Sequence, residues 1–149
     1  LEGNLGLRIS DILSLRLSDI VRDGDRYRLE ITEQKTKKKR VFTVPLVIQQ
    51  YIENYCLKNG IEKTERIFNL TERAISKQLA LVCDYLGFEG IGTHSFRKWY
   101  ATEIYKNNGY DITLVQRLLQ HSSAAITQRY IGIEPQRIEE AIEGHAQLL

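Results

Sequence analysis

Tyr130 stands nine residues after His121, in the stretch LLQHSSAAITQRYIG that runs from Leu118 to Gly132. A phenol has an unperturbed pKa of about 10, so a tyrosine that attacks at neutral pH needs cations and histidines nearby to stabilise or accept charge. Side chains of those types stand elsewhere in the chain. In THSFRKWYA, the spacing of His94 and Arg97 puts them on one side of a helix, while Phe96, Trp99 and Tyr100 point roughly the other way. On that pattern the aromatic residues anchor the helix and the polar pair faces out of the core. In GLRISDILSLR, Arg8 lies just before a helix start, where a loop can hold its guanidinium near other backbone segments. Its planar fork suits two phosphate oxygens at once and stays charged. Each feature also has an ordinary reading: Tyr130 packing beside Ile126 at i−4, Arg8 paired with Asp11, and His94 and Arg97 on a plain surface.

The charge distribution adds a second clue. Net charge is only +2, yet Lys35, Lys37, Lys38, Lys39 and Arg40 place five positive charges in six positions. Such a run is either a solvated hairpin tip or an electrostatic contact for nucleic-acid phosphates. Hydrophobic residues at 42% and charged residues at 27% exclude a disordered or fibrous chain. At 149 residues the chain is the size of one domain. Apolar runs are only a few residues long, so none spans a membrane, and no secretion signal opens the sequence. Cys56 and Cys83 sit apart within amphipathic patterns and read as buried, reduced thiols of a cytoplasmic protein. The chain contains no methionine, even at its start, and reads as a fragment.

The elements that must position these residues follow from periodicity and caps. Ser10 as N-cap, with Ile9, Leu13 and Leu17 at helical spacing, predicts a short helix over Asp11–Leu17. A brief strand over Asp19–Val21 and the Asp23-Gly24-Asp25 turn come next. Alternating Tyr27, Leu29 and Ile31 then give a second strand, and Val41–Val44 a third, ended by Pro45. Beyond Pro45 the period becomes helical. Ile48, Tyr51, Ile52 and Tyr55 form one stripe closed by Gly60; Ile75, Leu79, Val82 and Leu86 form another, between a Thr71 cap and a Gly87 stop. Thr93 caps a helix to about Asn107, Asp111 caps one that turns Ile112, Val115 and Leu119 inward, and Ser122 or Ser123 caps a short one carrying Tyr130. Pro135 permits a last helix, Gln136–Ala146. The fold class is mainly α with a small three-stranded antiparallel sheet near the N-terminal end, in one continuous domain without internal repeats.

Taken in order, GLRIS, a lysine in a β-hairpin, HSFR, LLQHSS and TQRYI resemble the tyrosine recombinases, the phage-integrase family of DNA breaking-rejoining enzymes. The resemblance runs from Leu5 to Ile131 and implies that family's catalytic-domain fold across the chain. It makes Arg8 the first catalytic arginine, in a setting where Asp11 replaces the commoner glutamate. Lys35, in EQKT before a basic turn and a VP strand end, matches the hairpin lysine, with Lys37 as rival. His94 and Arg97 match the HxxR pair, with Thr93 also in place. His121 matches the next histidine, and Tyr130 stands at the nucleophile's usual distance from it. Lys37, Lys38, Lys39 and Arg40 are then expected to contact DNA.

The resemblance also implies a mechanism. Tyr130 would attack a DNA phosphodiester, giving a 3′-phosphotyrosyl link and a free 5′-hydroxyl that later rejoins strands, with neither ATP nor a metal cofactor. Arg8 and Arg97 would neutralise the non-bridging oxygens, a role in which each preorganised donor supplies roughly 3 to 4 kcal/mol. Lys35 would protonate the leaving 5′-oxygen, His94 would transfer a proton at Tyr130, and His121 would hydrogen-bond the phosphate. Expected partners are double-stranded DNA and, on paired sites, three further protomers of a tetramer; the tail with Ile138, Ala141 and Ile142 either packs on its own domain or, as the resemblance implies, docks on a neighbouring protomer. Three departures stand out. Gln120 occupies a place where the family usually has glycine, at about 1 kcal/mol if φ is positive there. The first helices of the catalytic domain and the separate N-terminal DNA clamp are not in this sequence. Rival readings are a type IB topoisomerase, a DNA-binding module without catalysis, and a metal-dependent hydrolase using His94, His121 and His145, although no HxxxH or HExxH spacing accompanies these histidines.

Overall fold

A computed structural model describes residues 1–132 and 143–144, so the helix expected over Gln136–Ala146 lies almost wholly outside the described residues. The chain divides into two compact units, Leu1–Arg97 and Lys98–Leu149, with the division falling inside one helix.

The first unit opens with a four-residue helix α1 (Glu2–Leu5), too short to leave a periodic signature, which Gly6 closes in the left-handed region at φ 60°. Helix α2 follows as Ile9–Ser14, not Asp11–Leu17. Arg8 is its N-cap residue and Ser10 lies inside its first turn. It stops early because Leu15 turns extended and its carbonyl accepts the Ile67 N–H at 2.9 Å, while Arg16 bridges Arg66. Long-range pairing thus takes over residues whose local pattern is helical. A 3₁₀ turn, Leu17–Asp19, leads into strand β1 (Ile20–Asp23), which pairs antiparallel with β2 (Arg26–Thr32), and β2 in turn with β3 (Lys39–Val44). The sheet is the expected one, although β3 begins two residues earlier because Lys39 and Arg40 pair with Thr32 and Ile31. Leu29 and Val44 turn their side chains into the core with Leu5, Leu7, Ile12, Leu15, Ile52, Cys56 and Ile67.

Two helices complete this unit with a different rotation from the one their apolar pattern gives. Helix α3 (Leu46–Lys58) buries Gln49, Ile52 and Cys56. Tyr51 is 65% exposed, and Tyr55 lies at the surface against Phe68, so neither belongs to a core stripe. Gln49 can take the inward place because its amide donates to Glu53 at 2.9 Å. Helix α4 (Glu72–Leu86) has the expected Thr71 cap and Gly87 stop, but its inward line is Ile75, Leu79 and Cys83, with Val82 and Leu86 exposed. Both cysteines are buried and free, and burial, then the charge of Glu53, pushes the Cys56 thiol up.

Helix α5 (Thr93–Asn107) begins in the first unit and continues into the second. There it is followed by α6 (Ile112–Leu119) and α7 (Ala124–Ile131). Asp111 caps α6 by accepting the Thr113 and Leu114 N–H groups, and Ser123 caps α7. Ala101, Tyr105, Val115, Leu119 and Ile131 form the core of this unit. Among the described residues no helix is long and apolar enough to cross a membrane.

Candidate active site

The loop Gly6–Arg8 is the centre of the first unit's polar cluster. Left-handed Gly6 points its carbonyl inward, where it accepts from the Arg97 guanidinium and, at 3.4 Å, from Arg40. Arg97 is 2% exposed, while His94 one turn earlier is exposed, as are Phe96 and Trp99. The expected arrangement of α5 is therefore reversed for these residues: the arginine goes in and the aromatic residues stay out. A buried guanidinium needs acceptors, and the Gly6 carbonyl supplies one.

Arg8 does not pair with Asp11. Its Nη1 donates to Glu33 Oε2 at 2.6 Å, with 15% of its side chain still exposed. Glu33 is wholly buried and also accepts from Arg40 at 3.3 Å and from the Thr36 hydroxyl at 2.7 Å. Burial pushes its carboxyl up, but the Thr36 and Arg8 hydrogen bonds with the charges of Arg8 and Arg40 outweigh this and hold it below the ordinary value. Asp11, also buried, accepts the Gln34 N–H at 2.7 Å. Helix α2 thus grips the start of the β2–β3 turn at two points. The turn itself closes through Lys37 N–H to Glu33 O and Glu33 N–H to Lys38 O, with Lys37 at φ 57°.

Lys35 lies exposed on that turn, and Lys37, Lys38 and Lys39 are exposed beside it. Arg40, also expected to contact DNA, is 3% exposed, stacked 4.8 Å from the Phe42 ring centroid and paired with Glu33. Glu2 is a third buried carboxyl in this unit. Burial raises it from 4.5 to about 7, against the opposing charge of Arg97.

In the second unit, Gln120 ends α6 in the left-handed region at φ 56° and aims the next residue back over the helix. His121 donates its N–H to the Gln116 carbonyl at 3.0 Å. Its ring Nδ1 lies 3.0 Å from the hydroxyl of Thr127, which is fully buried and also within 3.4 Å of the Ser123 carbonyl. Tyr130 is half-buried and packs on the unit's core, so it does fill space, while Ile126 at i−4 is 42% exposed. Its ring meets His121 edge-on at 5.4 Å and 78°.

The first unit therefore gathers Arg8 and Arg97 on one loop with the base of the Lys35 turn, and the second sets His121 beside Tyr130. Glu33, the Gly6 carbonyl and Thr127 were not among the residues singled out from sequence. Glu33 had a signal: it continues the inward alternation Tyr27, Leu29, Ile31, so an acid at that position points into the core and requires cations. Among the described residues no group of three or more His, Cys, Asp or Glu side chains could hold a metal ion.

A family model described as the phage integrase family matches residues 3–137. The probable integrase/recombinase YoeC of Bacillus subtilis is 37% identical over 88% of this chain and 73% of its own length. Tyrosine recombinase XerA of Pyrococcus furiosus is 27% identical over 93% of this chain, which spans only 50% of that protein. The crystal structure of the XerH site-specific recombinase in a post-cleavage complex with a palindromic difH substrate superposes with a TM-score of 0.73 at 24% identity, over 95% of this chain and 42% of the other. The catalytic domain of bacteriophage HP1 integrase gives 0.63 at 23% identity, over 98% and 82%.

Proposed function

Because this chain belongs to the phage integrase family, we propose that it is the catalytic domain of a site-specific DNA recombinase that works through a tyrosine nucleophile. The observation that carries the reading is the loop Gly6–Arg8, which presents one arginine and anchors a second from 89 positions further on, Arg97. Two guanidiniums held on one loop are suited to the paired non-bridging oxygens of a phosphodiester.

In the proposed reaction the Tyr130 oxygen attacks phosphorus, the bond to the 5′-oxygen breaks, and a 3′-phosphotyrosyl link remains. Arg8 and Arg97 balance the charge that builds on phosphorus in the transition state. Their partners are in place beforehand, so little reorganisation is required at the moment of reaction. His94 takes the tyrosine proton, Lys35 gives one to the leaving oxygen, and His121 donates to the phosphate. The released 5′-hydroxyl, or that of a second duplex, reverses the step. Double-stranded DNA is the substrate, and the charges of the exposed Lys37, Lys38 and Lys39 suit its backbone. Strand exchange takes place within a tetramer on paired sites.

The test is a nicked duplex carrying the DNA that flanks the protein's own gene, incubated with the full-length protein in chelator. A denaturant-resistant protein–DNA adduct that disappears in Tyr130→Phe is expected. No adduct from the unaltered protein would leave Tyr130 as packing and the chain as a DNA-binding module.

A further inference from the structure

Glu33 lies outside the set of groups proposed to touch the phosphate, yet it is the wholly buried acid to which three side chains converge. Two of those donors belong to different working parts. Arg8 is proposed to bind the phosphate, and Thr36 stands next to Lys35, the proposed donor to the leaving oxygen. Each is bonded to the same atom, Glu33 Oε2, at 2.6 and 2.7 Å. On the main chain, Glu33 begins the turn that carries Lys35, exchanging hydrogen bonds with Lys37 and Lys38. Lys38 N–H also donates to the Thr36 hydroxyl at 3.3 Å.

We propose that Glu33 is a positioning residue that fixes the Lys35 turn relative to Arg8, so that the leaving-group proton arrives where the phosphate is held. The inference rests on the recombinase reading. A lysine is a flexible stem with a point charge, and an exposed turn gives it no register of its own. A single carboxylate oxygen shared by Arg8 and Thr36 supplies that register, and Arg40 on the other oxygen balances the buried charge. Loss of such alignment costs rate, since a misplacement of about 1 Å is worth on the order of 100-fold.

The test uses two versions of the nicked duplex, one with the ordinary 5′-oxygen at the cleaved bond and one with sulfur there. A thiol is acidic enough, at about 8.5, to leave as thiolate without a donated proton. Glu33→Gln is expected to cleave the oxygen substrate 10- to 100-fold more slowly than the unaltered protein and to recover most of that loss on the sulfur substrate, the residual defect being what Arg8 loses with its own anchor. Arg8→Ala is expected to remain slow on both. Thr36→Val, at an exposed site where folding is not in question, leaves the Arg8–Glu33 pair intact and is expected to show full recovery on a smaller scale, and adding Lys35→Ala to Thr36→Val is expected to cost no more than Lys35→Ala alone. If Glu33→Gln unfolds, Thr36→Val decides alone. A defect that sulfur does not relieve, or full activity of both variants on the oxygen substrate, overturns the proposal while leaving the recombinase reading intact. No adduct from the unaltered protein on either substrate overturns both.

Discussion

Arg8 and Arg97 in the first unit are anchored by a buried carboxylate and a main-chain carbonyl, whereas His121 and Tyr130 in the second rest against a threonine hydroxyl and against each other's rings. The difference follows from what each group is proposed to do. Charge stabilisation gains most from donors that do not move, because reorganising them during the reaction would cost what they contribute. A nucleophile must travel from packing to phosphorus and back, which contact between two rings permits.

The sharpest way to break the comparison is to loosen the rigid side. Arg97→Lys keeps the charge but loses the fork that reaches the Gly6 carbonyl and a phosphate together. Single-turnover cleavage is expected to fall about 10²- to 10³-fold, with far-UV circular dichroism unchanged. A loss under tenfold would mean that a point charge suffices and that the anchoring has no catalytic value.

Within the rigid side, two buried carboxyls should respond to pH in opposite directions. Glu33 is held below its ordinary value, so its contribution to stability is present above the unfolded pKa and is lost as pH falls through the folded one. Glu2 is raised from 4.5 to about 7, so its neutral form is the one the fold prefers. That contribution is complete below 4.5 and disappears as pH rises towards 7, over a range worth up to about 3 kcal/mol. Denaturant unfolding at several pH values checks this: Glu2→Gln should flatten the slope between 4.5 and 7 and leave the acid limb attributable to Glu33. An unchanged slope would show that Glu2 is ionised inside the fold.

In the second unit the expected effects are smaller. The Thr127 hydroxyl has one proton and faces both His121 Nδ1 and the Ser123 carbonyl. When it donates to Nδ1, the proton of a neutral imidazole sits on Nε2, the tautomer able to donate to a phosphate. Thr127→Val removes that bias. The expected result is a shift of His121 towards the Nδ1–H tautomer in ¹⁵N spectra recorded with the ring neutral, and a cleavage rate lower by about 3- to 10-fold. Unchanged tautomer populations would mean that the hydroxyl donates to Ser123 instead.

How far the sequence carried depended on whether the deciding interaction was local. Caps are local, and Thr71, Asp111 and Ser123 stand where their residue types indicate. Strand alternation is local too, and the sheet follows from it. The direction faced by α5 is not: whether Arg97 or Trp99 goes inward was decided by a carbonyl 91 residues earlier, on Gly6. Residues 15 and 16 were likewise taken from a helix by pairing with residues 66 and 67. The candidate catalytic side chains could be named from order and type, while the groups that orient them, Glu33, Gly6 and Thr127, entered only with the contacts.

The smallest effect tests the joint between α6 and α7, the helix that carries Tyr130. Gln120 carries a side chain in the left-handed region, where only glycine is unstrained, and the family resemblance puts glycine at that place. Gln120→Gly relieves strain of about 1 kcal/mol but also frees the unfolded chain, which returns part of it, so a net gain of about 0.5 kcal/mol in unfolding free energy is expected. Cleavage should change less than twofold, because the His121 N–H keeps its bond to Gln116 whichever residue precedes it. A clear destabilisation would instead mean that the glutamine side chain holds the turn, and that this chain replaced a backbone solution with a side-chain one just where His121 is aimed at Tyr130.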